Sequence, residues 1–324
     1  MKKKIAAALS GLLLISICLL AHRAAVLCDG FLPENDMRIP FDGLNAQSGL
    51  NEAAFNRVLD RVQEIYGPIV ASKGGKLAIN RLWRDAKVNA SATQMFGTWT
   101  INMYGGLARH PAITEEGFAL VACHELGHHI GGSPKLTKGL ARVGLGRWAT
   151  NEGGADYFAT LKCMRLVAPS VKSEIDAAAA KACDAAYADP QGRAACRAGA
   201  LAGQSVAGMF QSFRNGPPVS FTTPNPSIVR VMFDRHPQPQ CRLATYFQGA
   251  LCPKSVAENV SDRDPDAGTC TRRQGFLIGL RPRCWYKPPA GEPIGPTVAS
   301  VLQPADVDRV MARLETLKTA FETR

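Results

Sequence analysis

Residues 124–128 read His-Glu-Leu-Gly-His inside an apolar run from Ala119 to Gly132, and this is the feature that most restricts what the chain can become. The run has the character of a helix, and on a helix residues four apart lie about 40° apart around the axis. His124 and His128 therefore share a face and can hold one metal ion between them. Glu125 sits about 100° round, at the edge of that face. There it is badly placed to be a ligand of the same ion but well placed to reach a water bound to it. His129 points off the metal face. The chain has six His, and three fall within positions 124–129. The plainer alternative is a pair of imidazoles satisfied by hydrogen bonds on a buried helix.

Such a helix needs a core to bury it, and 324 residues with 46% apolar content supply one. The chain starts with Lys2, Lys3 and Lys4, followed by the short apolar run Ile5 to Ala21. That is the pattern of an export signal, with cleavage after Ala21 or Ala25; an uncleaved anchor is the alternative. Cys28 invites a lipidation reading, against which stands the bulk of Leu27. No later segment is apolar enough to cross a bilayer. Loss of residues 1–21 removes three Lys, taking the formal charge from +11 to +8. This basicity has no aromatic interleaving and no arginine-rich tract, so nucleic acid is not expected as a partner.

Ten Cys in an exported chain point to an oxidising compartment. Cys18 leaves with the signal, and Cys123, beside the motif, reads as a small buried apolar residue. Eight remain: Cys28, Cys163, Cys183, Cys196, Cys241, Cys252, Cys270 and Cys284. Nearest-neighbour pairing would join Cys183 to Cys196, Cys241 to Cys252 and Cys270 to Cys284.

Around the motif, Asn51–Tyr66 carries apolar residues at helical spacing and meets Gly67 and Pro68, which should stop it. Lys76–Trp83, Lys87–Ala90 and Gln94–Tyr104 read as strands of a small antiparallel sheet. The last, nearest in sequence to the motif, is expected to be the edge strand along which a substrate lies extended. Thr114 caps the motif helix, Glu115 and Glu116 suit its first turn, and Gly131 and Gly132 end it. The basic, glycine-containing residues 133–149 suit a lid or a solvated connection. Helices follow from Asn151 to Val167, Ser170 to Ala188 and Gln191 to Phe213. Pro237–Pro289, dense in Pro, Gly and Cys, reads as a disulfide-pinned appendage, and Asp306–Phe321 as a C-terminal amphipathic helix.

Two His leave a metal site incomplete. A catalytic zinc takes a third protein ligand and keeps one position open. The next acidic residue after the motif is Glu152, four before Asp156 at the start of the second helix. One of these carboxylates can bind the metal while the other accepts the N–H of a ligating His and fixes its orientation.

HELGH at 124–128 followed by NEGGAD at 151–156 resembles the gluzincin metallopeptidases, whose two helices carry H-E-x-x-H and then E-x-x-x-D. Within them it is most similar to the HtpX and CAAX-prenyl-protease type. His236 and Pro237 with Arg242 six residues on resemble that family's later His-Pro motif, and Gly105-Gly106-Leu107 its strand-to-helix approach. The resemblance covers about residues 76–245 and implies one Zn2+ per chain on His124, His128 and Glu152. Asp156 would stand behind a ligating His. Glu125 would be the general base, His236 an oxyanion donor or a cap on the zinc, and Arg242 an architectural anchor. Tyr157 faces another direction and is given no role.

The expectation is therefore an α+β, mainly helical chain: a signal over 1–25, a zincin-like core over 38–235, and a third segment over 236–324. Its expected activity is zinc-dependent cleavage of protein or peptide substrates in the periplasm or outside the cell. The alternatives are a chaperone-like binding protein with a capped, low-turnover zinc, and a zinc amidase acting on peptidoglycan.

Overall fold

The computed structural model describes residues 30–42, 49–136, 148–168, 174–223 and 225–293. The expected signal, Cys28, residues 137–147 of the basic loop and the expected C-terminal helix lie outside them. Helix α1 spans Glu52–Ser72, started by the Asn51 side chain, which accepts from the Ala54 N–H at 2.9 Å. It continues through Gly67 and Pro68 instead of stopping there. Pro68 is exposed, so the backbone bond it deletes lies on the water side. Val70 is buried and anchors the last turn.

Three strands follow: β1 Lys76–Leu82, β2 Ala90–Met95 and β3 Thr98–Tyr104, in the order β1-β3-β2. β1 runs parallel to β3 and β2 antiparallel to it, so the sheet is mixed and not antiparallel as expected. β3 is also its central strand, not its edge. Ile101 and Met103 of β3 are fully buried, which favours placing this strand where neighbours cover both sides. The edges are β1 and β2. β2 packs against the motif helix. Its outer edge is paired at Ala90, whose carbonyl accepts from Phe31 N–H at 2.8 Å.

A short turn, α2 (Gly105–Ala108), leads to α3 (Glu115–Ile130), in which every residue from Gly117 to Ile130 is buried. Thr114 caps it, its hydroxyl accepting from Gly117 N–H at 3.1 Å, and Gly131 ends it. After the basic loop come α4 (Glu152–Phe158), a π-helical segment (Ala159–Cys163) and α5 (Met164–Val167) in unbroken succession. Then come α6 (Ala177–Ala186), α7 (Pro190–Ser212) and α8 (Pro239–Leu251). The main core joins α1, the inner face of the sheet, α3, the π segment and α7.

α8 falls where the sequence suggested an irregular appendage. It is buried all round from Cys241 to Leu251 and packs on both α4 and α7. Its buried residues include the polar Arg242, Thr245 and Gln248, so residue type does not announce a core helix here.

Four disulfides cross-link the described residues: Cys123–Cys163, Cys183–Cys196, Cys241–Cys284 and Cys252–Cys270. Only Cys183–Cys196 follows nearest-neighbour pairing. Cys123 is not a free apolar residue but a bridge from α3 to the π segment following α4. Folding brings α8 and the Trp285 region together, and this pairs Cys241 with Cys284 across the intervening two. These bonds fit an oxidising compartment, and no described helix is long and apolar enough to cross a membrane. Since Cys123–Cys163 closes a separation of 40 residues, the double change Cys123→Ala/Cys163→Ala should lower stability by about 2–4 kcal/mol. An unchanged urea midpoint would count against a structural role for the bridge.

Candidate metal centre

The interior of α3 and the first turn of α4 build the site. Asn151 caps α4 through Gly154 N–H, accepted at 2.9 Å, which sets Glu152 in the first turn and Asp156 one turn on. α4 lies close to α3 because Gly127 of α3 lacks a side chain where the two helices meet, and Gly153 of α4 likewise admits the Trp285 ring. A Cβ on Gly127 would come within 3.0 Å of the Ala155 carbonyl, and one on Gly153 within 2.1 Å of the Trp285 ring.

This approach brings His124, His128 and Glu152 together, each offering one ligand atom, all within 4.8 Å of one another. His124 Nε2 lies 3.4 Å from one Glu152 oxygen and His128 Nε2 3.6 Å from the other. The remaining ring nitrogens are already engaged. His128 Nδ1 lies 2.8 Å from the Thr150 carbonyl, which can only accept, so Nδ1 carries the proton and Nε2 a lone pair. His124 Nδ1 donates to Asp156 Oδ1 at 2.7 Å. Both imidazoles are thus oriented by their far side, the arrangement that presents Nε2 to a metal.

The donor set fits a metal ion. His124 Nε2, His128 Nε2, Glu152 Oε2 and both Glu125 oxygens are buried without a hydrogen-bond partner. Orphaned buried polar atoms cost about 1–3 kcal/mol each, and a cation bound between the ligand atoms would relieve the first three.

Charge in the site is organised around Asp156. Burial opposes its ionisation, but Arg242 and His124 hold it below its ordinary pKa. Arg242 Nη2 donates to Asp156 Oδ1 at 2.6 Å, Nη1 to the Phe31 carbonyl at 3.2 Å and Nε to Tyr246 Oη at 3.1 Å. Its guanidinium lies over the Phe210 ring at 4.2 Å and the Phe31 ring at 4.6 Å. Burial works against protonation of His124, yet Asp156 raises its pKa; His128, where burial dominates, is lowered. Glu152 is buried too, but His236, His124 and His128 hold it well below the carboxylate range. Burial pushes Glu125 up to about 8.

His236 stands at the edge of this cluster, its Nε2 3.4 Å from Glu152 Oε2. That nitrogen donates to the Gly30 carbonyl at 2.8 Å, so in this arrangement it offers a proton and not a lone pair. Arg242 sits behind Asp156. His129 faces away from the ligand atoms, toward Trp99 and Trp148. Tyr157 donates to the Gly279 carbonyl in another cluster.

Sequence reasoning passed over Thr150, Gly30, Phe31 and Tyr246. Thr150 and Gly30 act through backbone carbonyls, which leave no mark on residue type. Phe31 packs edge-on against His124 at 4.9 Å from a lead-in that showed no periodicity. Comparison with protein-family models, with characterised proteins and with solved structures returns no match.

Proposed function

We propose that the chain is a zinc-dependent endopeptidase acting on proteins in the cell envelope or outside the cell. The observation that carries this reading is the convergence of two oriented Nε2 lone pairs and the Glu152 carboxylate, with Glu125 one residue along the same helix. His124, His128 and Glu152 would hold the ion. The chemistry zinc supplies when so bound is Lewis acidity, which acidifies water and polarises a carbonyl. Glu125 takes the proton of the attacking water and delivers it to the leaving amine as the C–N bond breaks. Asp156 and the Thr150 carbonyl keep the imidazoles aligned throughout, and Arg242 keeps Asp156 ionised.

The test is cleavage of an unfolded protein by the purified mature chain, abolished by a chelator and restored by zinc. Metal analysis is independent of turnover. The parent should hold about one zinc per chain, and Glu152→Ala should lose most of it. An unchanged zinc content in that variant would mean that the third ligand is another group.

A second reading, a binding protein with a closed, low-turnover site, has one observation in its favour. His124 and Glu125 are 0% exposed, and His236 bonds to Gly30 beside them. His236→Ala separates the two. Activity should rise if the contact holds the site shut and fall if the Nε2 proton serves the substrate carbonyl. Unchanged activity would remove His236 from both roles.

A further inference from the structure

A cavity of about 490 Å3 opens one helical turn beyond Glu125, lined by His129 and Ile130 of α3, Gln94 of β2, Trp99 of β3, Trp148 and Val260. His129 is four residues after Glu125 on the same helix face, about 6 Å along the axis. Gln94 lies on the edge strand, four residues from Ala90, about 13 Å along it. Beyond Ala90, among the described residues, no backbone group pairs with the outer edge of β2. An extended chain laid on that edge and crossing Glu125 would therefore reach the cavity with one of its side chains.

The lining has a definite chemistry. The His129 ring lies nearly parallel to both indoles, 5.7 Å from Trp99 and 4.7 Å from Trp148 between centroids. Its Nε2 donates to the Thr100 carbonyl at 3.3 Å, so Nδ1 is the acceptor. That atom has no partner and is itself closed off from solvent, so the ring contributes its stacked position and not a free acceptor. Ile130 and Val260 complete an apolar wall. At the rim stand Lys73 and Arg263; Asp262, the one acid there, is ion-paired to Lys135 at 2.7 Å.

We infer that this cavity is a substrate subsite for an aromatic side chain in a segment with acidic neighbours. The indoles and aliphatic groups take the ring, and Lys73 with Arg263 attracts the acidic flank. This rests on the peptidase reading for the path of the chain, but binding tests it without turnover.

The probes are the peptides Ala-Ala-Xaa-Asp-Ala with Xaa tyrosine, phenylalanine or leucine. They are titrated into Glu125→Gln protein and followed by tryptophan emission and calorimetry. The tyrosine and phenylalanine peptides are expected to bind about tenfold more tightly than the leucine peptide, since either ring can stack on the indoles. In Trp148→Ala, and separately in Trp99→Leu, the tyrosine-to-leucine ratio should collapse toward one. Equal affinity for all three peptides, or a ratio untouched by both variants, overturns the inference. Failure of the peptidase reading shows differently: selective binding with no cleavage by the parent protein leaves the subsite standing. Cleavage without this selectivity leaves the peptidase and removes the subsite.

Discussion

Glu125→Gln is expected to lower cleavage of an unfolded protein substrate by about 10^2- to 10^4-fold while the protein stays folded and keeps its metal. Both Glu125 oxygens are buried and unpartnered, so no hydrogen bond within the fold depends on them. The amide has nearly the carboxylate's shape, and burial already disfavours the charged form, with the pKa pushed up to about 8. The amide cannot take a proton from water. Zinc content, the far-ultraviolet spectrum and kcat should be read on the same sample. Equal kcat in the variant and the parent would end the role assigned to Glu125.

Arg242→Met should have the largest effect on the fold. The guanidinium is fully buried between Asp156, the Phe31 carbonyl and the Tyr246 hydroxyl, with two aromatic rings against its faces. Methionine keeps much of the packing but leaves the buried Asp156 carboxylate without its guanidinium partner. Breaking a buried pair from one side costs about 3–5 kcal/mol, a fall in melting temperature on the order of 10 °C. Asp156 is the group that turns His124, so zinc affinity should also drop about 10- to 100-fold. Arg242→Lys should recover part of the stability, restoring charge without the forked geometry. A melting temperature within a degree or two of the parent would mean that Asp156 finds other compensation.

Some of this architecture is readable without coordinates because it is local. Thr114 and Gly131 bracket α3 as an N-cap and a stop should, and Asn151 starts α4, since caps act on backbone groups two or three residues away. The ligands inherit that legibility. Spacings of four put His124 beside His128 and Glu152 beside Asp156 whatever the rest of the chain does. The continuation of α1 past Pro68 failed the local rule, because the loss of one hydrogen bond on the water side is outweighed by burying Val70.

The sequence alone therefore determined the motif helix, the second helix and the residue types that could hold an ion, all consequences of backbone periodicity. Only the tertiary structure decided that β3 lies at the centre of a mixed sheet, that Cys123 bridges to Cys163, and that a helix fills the stretch after Pro239. It also decided that Thr150 offers its carbonyl to His128, that Gly30 receives the His236 proton, and that a cavity lined by Trp99, Trp148 and His129 opens near the motif. These depend on contacts between residues far apart in the chain. Their energy comes from excluded water and from partners for buried polar groups, which no spacing along the sequence records.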